Sequence, residues 1–268
     1  MAVSILVTGL PGRMGLAVVR AASENPLVRV VGTVGRPGSR VKGQDAGMLA
    51  GVAPIRVPVQ DDFGSALLEL RPQVVVDFTT PEAAADIGDA CARAGTPLVT
   101  GTTGFSGPQR ERLDRVSTRI PVVTSPNMSV GVHVMLEAAA LLARVLGPSW
   151  DAEVVELHHR LKKDAPSGTA LRLAEVVARA RGQDASAFRL ARAGQVGERP
   201  VGEIGIQTLR GGDVVGEHTV HFLAPGERIE LTHRATSRDQ FAKGALRAAT
   251  WIVEQAPGQY GMRDVLGL

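Results

Sequence analysis

The first half of the chain alternates short apolar runs with segments in which apolar residues recur every three or four positions. Short apolar runs are typical of strands buried on both faces, and the longer spacing is typical of helices packed on a sheet. Strands are predicted at residues 3–8, 27–34, 73–78, 97–100 and 120–124, and helices at residues 14–22, 61–70, 79–94 and 106–118. This alternation predicts a parallel sheet with helices on both faces.

The pattern changes after residue 129. The predicted elements there are helices at 130–146 and 170–180, a strand from 153 that ends in the histidine pair 158–159, strands at 203–210, 214–224 and 227–235, and a last helix that ends at Glu254. The turn-forming residues Gly211-Gly212-Asp213 and Ala224-Pro225-Gly226 join the last three strands, which predicts an antiparallel meander. The fold class is therefore α/β, with one parallel-sheet domain at 1–129 and an α+β domain with a mainly antiparallel sheet at 130–239.

Composition narrows the function classes. The chain has 268 residues, of which 44% are hydrophobic and 21% charged, as in ordinary globular proteins. Aromatic residues make up only 3%, and the 26 arginines are dispersed, which argues against nucleic acid as a partner. No apolar stretch is long enough to cross a membrane. Cys91 is the only cysteine, and the sequence around it predicts a buried position on a helix. These observations lead us to expect a reducing, cytoplasmic compartment.

The turn after the first strand reads Gly9-Leu10-Pro11-Gly12-Arg13-Met14-Gly15 and leads into a predicted helix. Glycines at this spacing let the backbone approach a pyrophosphate, whose charge is stabilised at the helix N-terminus. The sequence therefore predicts a Rossmann-like dinucleotide site, and the alternative is a plain tight turn. Ligands of such sheets lie beyond the carboxyl ends of the strands, where turns 9–14, 101–103 and 125–128 are expected.

The second strand ends at Gly35 and Arg36, where many dinucleotide-binding folds carry a carboxylate for the ribose 2′-hydroxyl. An arginine without that carboxylate suits a 2′-phosphate by charge and by its forked geometry. NADP(H) is therefore predicted in preference to NAD(H). The alternative is that the arginines of this loop are simply exposed.

The richest stretch in titratable groups runs from Glu153 to Ala170 and contains His158, His159, Lys162 and Lys163 before a helix start at 167–169. Backbone donors and the dipole at a helix start can hold a carboxylate, and histidine or a lysine of lowered pKa can deliver a proton near neutral pH. Only four lysines occur in the chain, so an adjacent pair is notable, although two solvated loop lysines remain the alternative.

A straight strand would direct the two histidines to opposite faces, so the residues alone leave open which of them faces the reacting atoms. His133 reads as a packed helix residue, and His218, His221 and His233 read as sheet-surface residues. No His-Glu-x-x-His motif or carboxylate cluster occurs, so no metal is predicted.

Five motifs in this order resemble the dihydrodipicolinate reductase family. They are Gly-x-x-Gly-Arg-Met-Gly at 9–15, Val-Asp-Phe-Thr at 76–79, Gly-Thr-Thr-Gly-Phe at 101–105, Glu-Leu-His-His-Arg-Leu-Lys-Lys-Asp-Ala-Pro-Ser-Gly-Thr-Ala at 156–170 and Val-Gly-Glu-His-Thr at 215–219. The motifs span nearly the whole chain. The resemblance implies NAD(P)H-dependent reduction of a small cyclic dicarboxylate to tetrahydrodipicolinate, in diaminopimelate and lysine biosynthesis.

The resemblance also assigns residues. His158 would be the proton donor and acceptor and Lys162 a second donor, while His159, Ser167, Gly168 and Thr169 would bind substrate. The cofactor would contact Gly9, Leu10, Pro11, Gly12, Arg13, Met14, Arg36, Gly101, Thr102, Thr103, Ser125, Pro126, Asn127 and Met128. Residues 240–268 would pack back onto the nucleotide domain, and the second domain would bind substrate and build a homotetramer.

One departure from the family pattern concerns the cofactor. The acidic residue usual at the end of the second strand is Gly35 here, while Arg36 remains, which favours NADPH and leaves NADH possible.

Two other functions compete with the reductase assignment. A dehydrogenase for an aldehyde or hydroxy acid would be expected to show a reactive cysteine or a metal site, and a non-enzymatic NADP(H) sensor would leave the histidine–lysine loop unexplained.

Overall fold

A computed structural model describes residues 2–268 of the chain. The strands are β1 (Val3–Leu10), β2 (Val28–Gly35), β3 (Val59–Gln60), β4 (Val74–Asp77), β5 (Leu98–Thr100), β6 (Pro121–Thr124), β7 (Asp151–His158), β8 (Phe188–Arg189), β9 (Ile204–Arg210), β10 (Gly216–Ala224), β11 (Glu227–Ala235) and β12 (Gly258–Tyr260). The helices are α1 (Arg13–Ser23), α2 (Ala46–Leu49), α3 (Phe63–Leu70), α4 (Pro81–Ala94), α5 (Gly107–Ser117), α6 (Val130–Leu146), α7 (Gly168–Ala180), α8 (Asp239–Ile252) and α9 (Met262–Leu266). No helix in this described part of the chain has the length and apolar character needed to span a membrane.

The chain divides into two compact units, of which the first comprises the chain up to Val130 together with Arg238–Leu268. Its seven-stranded sheet has the order β12-β6-β5-β4-β1-β2-β3, and all its pairings are parallel. Helices α1 and α8 bury one face, and α3, α4 and α5 bury the other. The predicted parallel sheet with helices on both faces is confirmed, because runs such as Val74–Val76 have no exposed side and are fully buried.

Helix α8 is packed tightly against the first unit through small residues. Ala242, Ala245 and Ala249 are fully buried there, and a Cβ on Gly244 would overlap the backbone of Met128. The glycine therefore lets the helix touch the turn that follows β6. Residues of α8 thus fix the position of the turn at 125–128, which the sequence predicts to bind cofactor.

The second unit, Gly131–Ser237, has a five-stranded mixed sheet in the order β11-β10-β7-β9-β8. The β10–β11 and β10–β7 ladders are antiparallel and contain most of its residue pairs, while β7–β9 and β8–β9 are parallel. Helix α7 covers one face, with Leu173 and Val177 fully buried against Val154, Ile206 and Phe222. Burying side chains of this size contributes about 1.5–3 kcal/mol each, so this layer holds the unit together.

The predicted three-strand meander is wrong in one pairing, because β7 lies between β9 and β10. The turn that looked like a hairpin instead crosses the carboxyl end of β7. Its backbone is tied there, since the Gly211 N–H donates to the His158 carbonyl at 2.9 Å and the His159 N–H donates to the Val214 carbonyl at 2.8 Å. Glycine and aspartate suit any sharp reversal, so turn chemistry alone could not distinguish a crossing from a hairpin.

Candidate functional site

The turn between β1 and α1 places glycine backbone, which carries no side chain, at the edge of the first sheet. Gly9 has a φ of +87°, and a Cβ there would lie 2.6 Å from the Phe78 carbonyl oxygen. The Gly12 N–H donates to the Gly9 carbonyl at 2.7 Å, and a Cβ on Gly12 would lie 2.5 Å from that same oxygen. Both positions therefore require glycine, and the N-terminus of α1 is left open to an anion.

A cleft of about 880 Å³ opens at this turn. Gly9, Leu10, Pro11 and Gly12 line it, and so does Arg36 from beyond the end of β2. The volume is within the range of clefts that hold small molecules and cofactors. The structure thus brings the glycine turn and the predicted 2′-phosphate arginine into one site.

The end of β2 has no room for the carboxylate that would accept from a ribose 2′-hydroxyl. A Cβ on Gly35 would lie 2.7 Å from the Leu10 carbonyl oxygen. Sequence reasoning missed a different carboxylate, Asp61, which lines the same cleft after β3. Its Oδ1 lies 2.7 Å from the Lys42 Nζ, and the hydrogen bond from Lys42 lowers the pKa of Asp61. Asp61 is therefore already neutralised by a neighbouring cation, and Arg36 adds a positive charge.

A second cleft of about 260 Å³ collects most of the remaining residues predicted to bind cofactor. It is lined by Arg13, Met14, Phe78, Gly101, Ser125, Pro126, Asn127, Met128, Arg238 and Phe241. A Cβ on Gly101 would overlap the Phe78 ring, so glycine lets the ring lie against the backbone. Arg238 and Phe241 come from the start of α8, and no local sequence signal identified them. Thr103 is exposed beside Gly101.

Thr102 lines neither cleft, because its hydroxyl points into the protein and donates to Asp77 at 2.8 Å. Asp77 is fully buried at the end of β4 and also accepts from the hydroxyls of Thr8, Thr79 and Thr100 at 2.7–2.8 Å. Four hydroxyl donors satisfy the acceptor sites of one carboxylate. Asp77 therefore ties together the ends of three neighbouring strands, and sequence reasoning assigned it no role.

In the second unit, two polar residues end the buried face of β7. Alternation places Ala152, Val154, Glu156 and His158 on the face that α7 covers. The apolar pair lies under the body of the helix, and the polar pair lies at its N-terminal end. The strand ends at His158, and His159 begins the following loop.

Glu156 is fully buried and sequence reasoning missed it. It accepts hydrogen bonds from His158 Nδ1 at 2.5 Å, Arg210 Nη1 and Nη2 at 2.8 Å each, the Ser167 N–H at 3.0 Å and the Thr208 hydroxyl at 3.3 Å. Burial acts to raise the pKa of this carboxyl, but the hydrogen bonds from His158, Arg210 and Ser167 prevail and lower its pKa to about 2. An ionised Glu156 requires a proton on His158 Nδ1, which leaves Nε2 as the exchangeable nitrogen.

His218 lies next to this group, and the sequence-based reading of it as a sheet-surface residue is wrong. It is only 5% exposed, its ring meets the His158 ring edge-on at 5.2 Å between centroids, and its Nε2 lies 3.1 Å from the Ser167 hydroxyl. Burial, followed by the neighbouring His158, lowers the pKa of His218 to about 4. His218 is therefore neutral near pH 7. Periodicity in β10 could have indicated this, because Val220 and Phe222 share its face.

The loop after β7 separates the two lysines. Lys162 is partly buried, and its Nζ donates to both carboxylate oxygens of Asp164 at 2.9 Å. That hydrogen bond lowers the pKa of Asp164. Lys163 is exposed. The two lysines are therefore not equivalent, and Lys162 is the one that its loop holds in place.

The start of α7 differs from the predicted anion site in one respect. The Ser167 N–H is not available, because it donates to Glu156, and the Ser167 hydroxyl caps the helix by accepting from the Ala170 N–H at 3.2 Å. Gly168 is exposed, with open space where a Cβ would lie. Gly168 is exposed and Thr169 is half-buried, so anion binding at this helix start falls to these two residues.

His159 has unmet hydrogen-bonding capacity. Its side chain is half-buried, and its Nδ1 has no partner within residues 2–268. A buried donor or acceptor without a partner costs free energy, so a ligand group that reached this nitrogen would be favoured.

The described residues contain no group of three or more His, Cys, Asp or Glu able to hold a metal ion. Cys91 is buried in α4, where burial raises the pKa of its thiol.

Family models match almost the whole chain. The model described as "Dihydrodipicolinate reductase, N-terminus" matches residues 3–128, and the model described as "Dihydrodipicolinate reductase, C-terminus" matches residues 131–266. Two curated relatives, both called 4-hydroxy-tetrahydrodipicolinate reductase, come from Myxococcus xanthus and Anaeromyxobacter dehalogenans. The first is 54% identical over 262 residues and the second 54% over 265, and each alignment covers 98% of this chain and 97% of the relative.

Solved structures share the fold. A dipicolinate-bound dihydrodipicolinate reductase from Paenisporosarcina sp. TG-14 superposes with a TM-score of 0.78 at 24% identity, covering 98% of this chain and 99% of that one. An amine dehydrogenase from Mycobacterium smegmatis superposes with a TM-score of 0.60 at 14% identity, over 97% and 94% of the two chains. The architecture is thus common to several oxidoreductases.

Proposed function

The chain belongs to the dihydrodipicolinate reductase family, and on that premise we propose how its residues divide the family's reaction between them. The reaction is the pyridine-nucleotide-dependent reduction of 4-hydroxy-tetrahydrodipicolinate, or of dihydrodipicolinate, to tetrahydrodipicolinate in diaminopimelate and lysine biosynthesis. A bound nicotinamide cofactor supplies the hydride. The chain's own residues must hold both reactants and deliver one proton.

The observation that carries this proposal is the position of His158, whose Nδ1 is held by the buried Glu156 beside the start of α7. His158 is then the proton donor and acceptor, acting through Nε2. Histidine suits this task near pH 7 because it exchanges protons there. Lys162, which Asp164 holds in the loop beyond β7, is the second donor.

The substrate is a small dicarboxylate, and we assign its carboxylates to His159, Gly168 and Thr169. The unpartnered Nδ1 of His159 and the exposed Gly168 at the helix start support that assignment. Ser167 has a different part, because its N–H and its hydroxyl are both engaged within the protein. Its contribution to substrate binding is to hold the start of α7 in place.

The cofactor fits Gly9–Met14, Arg36, Gly101 and Ser125–Met128, which line the two clefts, while Thr102 would contribute from within the protein through its hydrogen bond to Asp77. The support is steric as well as electrostatic, since side chains at Gly9 and Gly101 would collide with Phe78, and glycine there leaves only backbone lining the clefts. We propose that NADPH is preferred, with NADH a weaker cofactor. A cationic Arg36 suits the 2′-phosphate, and Gly35 has no room for the carboxylate that would select NADH.

Three further properties are expected from the family resemblance. The enzyme acts in the cytoplasm, it assembles as a homotetramer, and Gly131–Ser237 provides both the substrate site and the subunit contacts. The open face of the second sheet supports the last point, because residues of β11 such as Arg228, Glu230 and Thr232 are exposed on it. Sedimentation or light scattering at several concentrations tests the tetramer.

The experiment that tests the function follows oxidation of NADPH by the loss of its nicotinamide absorbance, with freshly generated 4-hydroxy-tetrahydrodipicolinate as the substrate. The same assay is repeated with NADH. Turnover with NADPH that requires the dicarboxylate substrate supports the proposal. Cofactor binding without turnover with either nucleotide would exclude the enzyme and leave a sensor.

A further inference from the structure

The buried carboxylate of Glu156 is the least expected feature of the second unit. The side chain is fully buried on the face that also contains the apolar core of that unit. Burying an ionised carboxylate is costly unless it is paired and fully hydrogen-bonded. A buried ion pair also contributes little net stability compared with an apolar replacement. A purely structural reason for Glu156 is therefore weak.

Every partner of Glu156 is a hydrogen-bond donor, and the two oxygens have different partners. Oε2 accepts from His158 Nδ1 and Arg210 Nη1, while Oε1 accepts from Arg210 Nη2, the Ser167 N–H and the Thr208 hydroxyl. One carboxylate therefore sets the tautomer of His158 and also anchors the residue that caps α7. No neutral side chain of the same shape can accept on both sides.

Arg210 extends this arrangement into the lysine loop. Besides its two bonds to Glu156, its Nη2 donates to the Asp164 carbonyl at 2.7 Å. Asp164 is the residue whose carboxylate holds Lys162. The Glu156–Arg210 pair is therefore connected to His158, to the start of α7 and to the loop of the second proton donor.

We propose that Glu156 is a positioning residue for the reaction: it acts through His158, fixing the ring with Nδ1 protonated and stabilising its cationic form, while Arg210 holds the carboxylate in place. This inference rests on the proposed function, because it takes His158 as the proton donor. The pKa of Glu156, at about 2, is consistent with a permanent negative charge. The other titratable groups near His158 are Arg210 on β9, which shares Glu156 with it, and His218 on β10, whose own neighbours include His233 on β11 and Lys162 in the loop.

The test compares Glu156→Gln, His158→Ala and the double variant, with kcat measured from pH 5 to 9. Glu156→Gln should lower kcat by about 100-fold, within the usual contribution of general acid–base catalysis, and change the KM for NADPH less than about twofold. The alkaline limb of its pH profile should move to lower pH, because the cationic ring loses its anionic partner. In the His158→Ala background, Glu156→Gln should change kcat little further.

Four outcomes decide the matter. A non-additive cycle with the shifted pH limb supports the proposal. Additive losses, or an unchanged pH limb in a folded Glu156→Gln enzyme, overturn it and leave Glu156 a structural residue. If His158→Ala retains wild-type kcat, the assignment of His158 fails instead, which separates the two hypotheses. Should Glu156→Gln fold poorly, Glu156→Asp is measured in its place, since it keeps the charge but shortens the reach to Nδ1, and unchanged kcat there also overturns the proposal.

Discussion

Gly216 lies directly across from the His158 ring. A Cβ at Gly216, the first residue of β10, would come within 2.9 Å of His158 Nε2 and 3.2 Å of its Cδ2. The ring therefore lies over bare backbone on one side, while Glu156 holds Nδ1 on the other. The orientation of His158 is fixed by a missing side chain as well as by a hydrogen bond.

Gly216→Ala is expected to displace the His158 ring and lower kcat by about 10- to 100-fold, as misplacement of a reacting group typically does. The KM for NADPH should hardly change, since the residues proposed to bind the cofactor are in the other unit. Steady-state kinetics checks this, with Gly211→Ala as the matched control because open space surrounds that position. Equal losses in the two variants would contradict the steric account.

Arg36→Ala should weaken NADPH binding by about tenfold or more, the value of a charge-assisted hydrogen bond to a phosphate, and leave NADH binding nearly unchanged. Titration of each cofactor by fluorescence measures both constants. Arg29→Ala, an exposed arginine earlier in β2, is the control. Equal weakening of the two cofactors would show that Arg36 does not contact the 2′-phosphate.

Lys162→Ala is expected to lower kcat by about 100-fold through loss of a proton donor, with cofactor affinity retained. Lys163→Ala provides a closely matched control, because that neighbour is exposed while Lys162 is paired with Asp164. The measurement is kcat together with the Kd for NADPH. A fall in NADPH affinity equal to the fall in kcat would remove Lys162 from the chemistry.

His218 should make the protein less stable in mild acid. The unfolded chain takes up a proton on this histidine near pH 6.5, but the folded chain does so only near pH 4, because of burial and the neighbouring His158. Stability is therefore lost as pH falls from 6.5 to 4, by about 3 kcal/mol. Urea unfolding at several pH values should show a smaller loss for His218→Gln than for the wild type.

Glu156 is present in both the wild type and His218→Gln, so its own titration does not affect the comparison of their stabilities. The matched control for His218→Gln is His221→Gln, which removes a partly exposed histidine from the opposite face of the same strand. The control should keep the wild-type pH dependence. If both variants behave alike, burial of His218 is not the source of the acid sensitivity.

Features set by neighbouring residues were predictable from the sequence. Alternating apolar runs gave the parallel sheet, the spacing of Gly9 and Gly12 gave the tight turn, and Ser167 was recognisable at the start of α7. In each case the determining contacts lie within a few positions along the chain. The sequence also indicated that the two histidines could not lie on the same face of a straight strand, and in the structure the strand ends between them.

Features set by distant residues were not predictable. Arg210 reaches Glu156 from 54 positions away and Thr208 from 52, so nothing near Glu156 in the sequence reveals that it is paired. The insertion of β7 between β9 and β10 has the same origin. A turn sequence specifies that the chain reverses, but packing of distant strands decides which partner it meets.

The division of the first unit between the two ends of the sequence has a consequence for biosynthesis. Strand β12 and helix α8, which complete the first sheet and its covering layer, are translated only after the whole of Gly131–Ser237. Domains generally fold as units while the chain emerges, and here the contiguous second unit is available first. A newly made chain would thus assemble the unit that carries the proposed proton donors before the proposed nucleotide cleft. The glycine turn at 9–12 would stay partly uncovered until residues more than two hundred positions later were made.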